Sequence, residues 1–378
     1  MVTIAVTREP ADEPRVAVSP ETVKKLSAAG ATVRVESGAG LRSRFSDEAL
    51  KAAGAEIVSR EAALGGADVL LAIRRPSADD VKALKPGALV IAGLNPYDDR
   101  AGLDALAATA ASVFAMEFMP RTTRAQAMDI LSSQANLAGY KAVVDAGAMF
   151  GQALPMMMTP AGTVPAAKAF IMGVGVAGLQ AIATARRLGA QVTATDVRPA
   201  TKEQVQSLGA KFVAVEDEEF KQAQTAAGYA KPMSAEYQAK QAELVANHIK
   251  NQDIVITTAL IPGRPAPRLI TRAMVESMKP GSVIVDLAAE RGGNCELTQA
   301  GKVIETPNGV KISGPLNLAG SIAVNASSLF AKNLLAFLEI MLDKKEKKLA
   351  VDWNDDLVKG TLVAKDGKIV HPNLVQQS

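Results

Sequence analysis

Apolar positions along the chain fall into two series of short runs separated by helical repeats. In the first series, residues 2–6, 31–35, 69–73, 88–91 and 111–115 have the length and composition of buried strands. Between them the spacing predicts helices, one of them after Ser19-Pro20, where serine suits an N-cap and proline a first helical position. Two more are predicted over 79–84 and 99–108. Alternating strands and helices predict a parallel sheet covered on both faces. A long helical pattern follows over 123–150, with Met128, Leu131, Ala135, Ala138 and Ala142 at helical spacing and no proline before Pro155. It predicts one continuous helix connecting two domains.

Residues 155–165 carry three prolines and predict a loop, with Met156, Met157 and Met158 as flexible packing at the domain junction. A second series begins at 167. Strands are predicted over 167–172, 191–195, 211–215, 253–257 and 282–287, and helices over 178–188, 202–208, 234–250 and 271–278. Asn308-Gly309 and Asp366-Gly367 sit between short apolar runs and predict hairpins. A late helix over 325–342 is expected to return the chain to the first domain, with the charge run 343–348 as its solvated end. The expected architecture is α/β: two Rossmann-like doubly wound parallel-sheet domains joined by long helices, with a cleft between them. The boundaries are 1–135 plus 325–378 for the first domain and 136–324 for the second.

Length agrees with two domains, since 378 residues exceed the usual size of one. Lys and Arg number 42 against 39 Asp and Glu, spread along the chain, so no basic stripe for nucleic acid is present. The single Cys295 excludes a disulfide framework and is read as a quiet thiol. With only His248 and His371 besides, no metal site is expected. Arg8 and Glu9 end the first apolar run too early for a secretory segment. The stretches 146–167 and 169–185 are broken by prolines and glycines. A soluble chain is therefore expected, which leaves docking to a membrane partner open.

The sharpest chemical signal is Gly173-Val174-Gly175-Val176-Ala177-Gly178, a G-x-G-x-x-G between a predicted strand and a predicted helix. Gly173 permits the tight turn, Gly175 lets a pyrophosphate approach the backbone, and Gly178 lets helix and strand pack closely. The pyrophosphate would meet the positive helix N-terminus. Asp196 ends the next strand, where an acid reaches the adenosine ribose hydroxyls and repels a 2′-phosphate. Arg198 complicates that preference, because an arginine can accept the phosphate. NAD(H) is the cofactor expected from this motif.

Several blocks carry a resemblance. Arg15-Val16-Ala17-Val18-Ser19-Pro20, the glycine turn, and Asp286-Leu287-Ala288 with Gly292-Gly293 resemble the alanine dehydrogenase and pyridine nucleotide transhydrogenase superfamily. Met119-Pro120-Arg121-Thr122-Thr123-Arg124-Ala125-Gln126-Ala127-Met128-Asp129, Leu131-Ser132-Ser133-Gln134-Ala135-Asn136-Leu137-Ala138-Gly139-Tyr140 and Thr257-Thr258-Ala259-Leu260-Ile261-Pro262-Gly263-Arg264-Pro265-Ala266-Pro267 are similar to its transhydrogenase branch. The resemblance covers almost the whole chain. It implies the peripheral NAD(H)-binding component of proton-translocating enzymes, in the form where that component is a separate subunit. Hydride would pass with A–B (Si–Re) stereospecificity from NADH held here to NADP(H) sites on a partner.

The implied partners are a membrane-spanning subunit, an NADP(H)-binding domain and a second copy of the chain. The implied location is cytoplasmic, on the inner face of the membrane. The implied nicotinamide loop comprises Arg121, Gln126, Asp129 and Ser132, with Arg121 and Asp129 as an oriented ion pair and Gln126 and Ser132 bonding the ring's substituents or ribose. Val176, Val197, Ala259 and Leu260 are carried over as nucleotide neighbours. Tyr229, in an irregular stretch over 216–232, is carried over as part of a mobile loop above the adenosine. Each has an ordinary reading too: a surface pair, a solvated amide, a linker tyrosine. Two other functions stand beside the first. A soluble alanine dehydrogenase would use Arg15, but Arg74 replaces the lysine it needs for proton transfer and no histidine occurs over 91–94. A non-catalytic NAD(H) sensor would not need the loop at 121–132.

Overall fold

The computed structural model describes residues 1–223 and 233–375. The chain divides into two compact units, Met1–Gln134 with Gly320–Ser378, and Ala135–Ala319.

In the first unit, six parallel strands stand in the spatial order Ala55–Val58, Thr32–Glu36, Thr3–Val6, Val69–Leu71, Leu89–Ala92, Ser112–Ala115. Numbered along the chain this is 3-2-1-4-5-6, the doubly wound order. Leu362–Lys365 then adds antiparallel to Ser112–Ala115, and Lys368–Ile369 closes the edge. The turn between them has Asp366 at φ +49° and Gly367 at φ +79°, the left-handed pair that a two-residue hairpin turn demands. Strands Val69–Leu71, Leu89–Ala92 and Ser112–Ala115 are buried at every position, as expected for a sheet covered on both faces. Ala55–Val58 escaped the hydrophobic pattern because it is an edge strand with only Ala55 buried.

Helix Ala323–Glu339 returns the chain to this unit, burying Phe330, Leu334, Phe337 and Leu338 in its core. With its preceding turn it is long and apolar enough to cross a membrane, but more than half of that stretch is buried. The charge run beyond it is not a helix end. The helix stops at Glu339, and 343–348 forms the tip of a hairpin between Leu342–Asp343 and Lys348–Leu349.

The second unit has the order Lys211–Phe212, Gln191–Thr195, Lys168–Met172, Ile254–Thr257, Val283–Asp286, Lys311–Ser313, Val303–Glu305. Its first five strands run 3-2-1-4-5 and parallel, and the final hairpin pairs antiparallel. Two predictions in this region fail. The Pro-rich stretch is a small hairpin, Met157–Thr159 with Gly162–Val164. Its methionines are exposed rather than packed: Met156 by 61%, Met158 by 79%. The helix expected over 123–150 is also broken. A 3-10 turn covers Thr123–Met128, Asp129 is extended (φ −78°, ψ 97°), and the α-helix proper is Ile130–Phe150. The Asp129 carboxylate accepts from the Ser132 N–H at 3.0 Å and from the Ser132 hydroxyl, so it caps the longer helix. Periodicity alone cannot see this cap, because the apolar spacing continues through it.

Candidate functional site

The register of the second sheet aligns Thr195, Met172 and Thr257 at one level. The residues that follow, Asp196, Gly173 and Thr258, therefore emerge together at the carboxyl end of the sheet. The strand order reverses between Lys168–Met172 and Ile254–Thr257, the position where doubly wound sheets open a crevice.

Gly173 has φ +100°, and a Cβ there would lie 2.6 Å from the Thr258 hydroxyl. A Cβ on Gly178 would lie 1.9 Å from the Gly173 carbonyl oxygen. Both positions therefore require glycine. Gly175 is different: it is exposed and a Cβ there would meet nothing. It is the N-cap of helix Val176–Arg187, and no side chain caps that end. The first-turn N–H groups of a helix have no intrahelical acceptor. An uncapped N-terminus behind an open glycine is a cradle for an anion.

Asp196 has an 8% exposed side chain at the end of Gln191–Thr195. It accepts from the Val174 N–H at 2.8 Å and pairs through both oxygens with Arg198. That pairing pushes the arginine further toward its charged form. Val176 and Val197 are exposed beside these groups. On the other wall, Thr258 donates its hydroxyl to the Gly173 carbonyl at 2.9 Å and locks the two strand ends together. Ala259 is held by Asn294, which is fully buried: the Asn294 oxygen accepts from the Ala259 N–H, and its amide donates to the Ala259 and Pro267 carbonyls. Leu260 is 53% exposed. Asp286 and Cys295 stand behind this wall. Asp286 accepts from the Thr257 hydroxyl, the Ala288 and Cys295 N–H groups and the Thr298 hydroxyl, while burial pushes the Cys295 thiol up, away from reactivity.

Arg121, Gln126, Asp129 and Ser132 belong to the first unit. Ala125 and Met128 are buried and Gln126 between them is exposed, so the 3-10 turn is pinned by two apolar anchors and projects the amide. Asp129 and Ser132 are brought together by the cap. Arg121 is exposed at the start of the same segment. Arg124 ties the turn down through Asp355. Tyr229 lies outside the described residues.

Residue spacing missed the groups that hold this turn. Asn333, on helix Ala323–Glu339, donates to the Ala127 carbonyl at 2.8 Å and accepts from the Ser133 hydroxyl. The Gln134 amide donates to that hydroxyl, and the Gln134 oxygen accepts from Arg15 Nη1 at 2.8 Å. The remaining faces of Arg15 grip the buried Glu13 in a two-point ion pair, and Arg74 pairs with Glu13 and Asp12. Only the polar residues' odd placement on apolar helix faces hinted at this network.

Comparison with known proteins gives the family. The family model "Alanine dehydrogenase/PNT, N-terminal domain" matches residues 5–138, and "Alanine dehydrogenase/PNT, C-terminal domain" matches 142–372. The chain is 55% identical over 371 residues to the first part of the NAD(P) transhydrogenase alpha subunit of Rhodospirillum rubrum, covering 97% of this chain and 96% of that one. It superposes on the crystal structure of a transhydrogenase from Sinorhizobium meliloti with a TM-score of 0.89 at 57% identity, covering 97% of this chain and all of the other. "Alanine dehydrogenase 2" of Staphylococcus aureus is more distant, at 30% identity over 92% of this chain and 89% of that protein. With both halves of the chain matched and near-complete coverage by its relatives, the protein belongs to the alanine dehydrogenase/PNT family.

Proposed function

We propose that the chain is the NAD(H)-binding component of a proton-translocating NAD(P) transhydrogenase, which passes hydride from NADH to NADP⁺ held by a partner subunit. The observation that carries this is the near-complete similarity to a chain named as the first part of a transhydrogenase alpha subunit, far above that to alanine dehydrogenase. The uncapped helix end at Gly175 supports dinucleotide binding. Gly173, Gly175, Val176 and Gly178 receive the pyrophosphate, Asp196 and Val197 the adenosine ribose, and Ala259 and Leu260 the facing wall. Tyr229 belongs to the covering loop of the same reading.

Hydride moves between two nicotinamide carbons, so the chain needs no acid or base at the reacting atoms and contributes orientation. Arg121, Gln126, Asp129 and Ser132 supply it. The anchored turn supports this role for Gln126, whose amide projects from a backbone fixed on both sides. The partners are a membrane-spanning subunit and an NADP(H)-binding domain, with a second copy of this chain. The location is the inner face of the cytoplasmic membrane, reached through those partners.

Gln126→Asn tests the reading. It keeps the amide and shortens its reach by one methylene. Single-turnover transfer from NADH to NADP⁺, in a mixture reconstituted with the partner domains, is expected to fall on the order of 10²-fold, as misplacement by about 1 Å does. NADH affinity should change far less. A rate within about threefold of wild type would remove Gln126 from the mechanism.

Similarity to alanine dehydrogenase favours a second reading, an amino-acid dehydrogenase. Against it, the Arg15 fork is already held by Glu13 and Gln134 and has little left for a substrate carboxylate. Oxidation of NADH with pyruvate and ammonium, without partner domains, would reverse the choice.

A further inference from the structure

A carboxylate presents about four lone-pair positions. At Asp196 four donors are in place. Oδ1 accepts from the Arg198 main-chain N–H and from Arg198 Nε, each at 2.9 Å. Oδ2 accepts from the Val174 N–H at 2.8 Å and from Arg198 Nη2 at 2.9 Å. Nη2 also donates to the Val174 carbonyl at 3.2 Å, so the guanidinium bridges the strand end and the glycine turn. A ribose diol must donate to this same acid. The two main-chain donors cannot leave without reshaping the turn. The guanidinium can, since its side chain is the more exposed member of the pair, at 26% against 8%.

We propose that Arg198 is a removable plug in the ribose subsite and sets the nucleotide selectivity of the chain. The proposal rests on reading the glycine turn as a dinucleotide site. A nucleotide with a free 2′-hydroxyl displaces the guanidinium from Asp196. The displaced cation, tethered two residues away, stays beside the ribose and softens the repulsion between Asp196 and a 2′-phosphate. Arg198 therefore weakens NADH binding and favours NADPH, two effects of opposite sign from one side chain.

Affinities of the full-length chain for NADH and NADPH, read from nicotinamide fluorescence, test this with wild type, Arg198→Ala, Arg198→Lys and Asp196→Ala. Arg198→Ala is expected to tighten NADH about threefold to fivefold, the scale of a partly exposed ion pair, and to weaken NADPH by a similar factor. The preference for NADH then rises about tenfold to twenty-fivefold. Arg198→Lys keeps the charge but cannot bridge both oxygens and the Val174 carbonyl. It should tighten NADH while leaving NADPH near wild type, and it carries the test if the alanine variant fails to fold. NADH binding that is unchanged or weaker in both variants overturns the plug, as does a parallel change for the two nucleotides. Asp196→Ala with NADH affinity and selectivity both unchanged, or a wild-type chain that binds no NADH, overturns the site reading and the plug with it.

Discussion

Glu9 shows how one residue couples the fold to pH. Its carboxylate is 8% exposed and accepts from the main-chain N–H groups of Ile73 and Arg74, at 2.6 and 3.3 Å. Burial is the largest influence and pushes its pKa from 4.5 up to about 7, aided by Glu13 and opposed by those hydrogen bonds and Arg15. A raised folded value means that the native state holds the proton more tightly than the unfolded chain. The stability it contributes is complete below about pH 4.5 and is lost as pH rises through about 7. The span corresponds to on the order of 3 kcal/mol. The two histidines, His371 buried and His248 half-buried, act in the opposite sense: loss of water around them lowers the pKa of both, so they cost stability as pH falls. The Glu9 contribution is therefore best read as a difference. Denaturant melts of wild type and Glu9→Gln from pH 4.5 to 8 should show the variant gaining relative stability steadily up to about pH 7 and no further. A flat difference would mean that Glu9 is ionised throughout. Nothing in the sequence around Glu9 marks it as buried, since its burial is created by the strand end at residue 73.

At the scale of elements, the turn Thr123–Met128 is the informative one. Its own Ala125 and Met128 anchor it, and the Asp129 cap and Asn333, two hundred residues further on, complete its geometry. Asn333→Ala removes the donor to the Ala127 carbonyl and the acceptor for Ser133. Because the turn is partly exposed, the loss of stability should be about 1 kcal/mol in a thermal melt. Hydride transfer should fall about tenfold while NADH affinity changes less than about threefold, because only orientation is disturbed. Equal losses in rate and affinity would show that Asn333 supports the fold and not the turn. The strand–turn–helix at 168–187 is the contrasting case. Its glycines, its apolar strand and the acid at 196 are local signals, and all are legible in the residues themselves.

On the scale of the whole molecule, the hairpin Met157–Thr159 with Gly162–Val164 presents Met156, Met157 and Met158 to solvent. Consecutive exposed methionines on a short hairpin are an unusual surface for a chain that stays alone. A second copy, implied by the family resemblance, would cover them. Met158→Asp should then shift the chain from dimer to monomer in sedimentation velocity at micromolar concentration, with an unchanged thermal transition in the monomer. A wild-type chain that sediments as a monomer would remove homodimerisation from the proposal.

Sequence by itself determined both parallel sheets, the nucleotide fingerprint and the family, because strand burial, glycine turns and strand-end acids are written in residues close together in the chain. It also located the two hairpins at Asn308-Gly309 and Asp366-Gly367, where left-handed backbone at Gly309 and at Asp366 with Gly367 selects its own residues. Tertiary structure decided what depends on distant partners. The edge strand Ala55–Val58 exists because Thr32–Glu36 offers it a ladder. The turn before Asp129 is held because Asn333 reaches the Ala127 carbonyl, and Asp196 meets the Val174 N–H only because the sheet sets the two strand ends side by side. Hydrogen bonds and ion pairs are short-ranged and directional, so their partners become known only when the fold has brought them within reach.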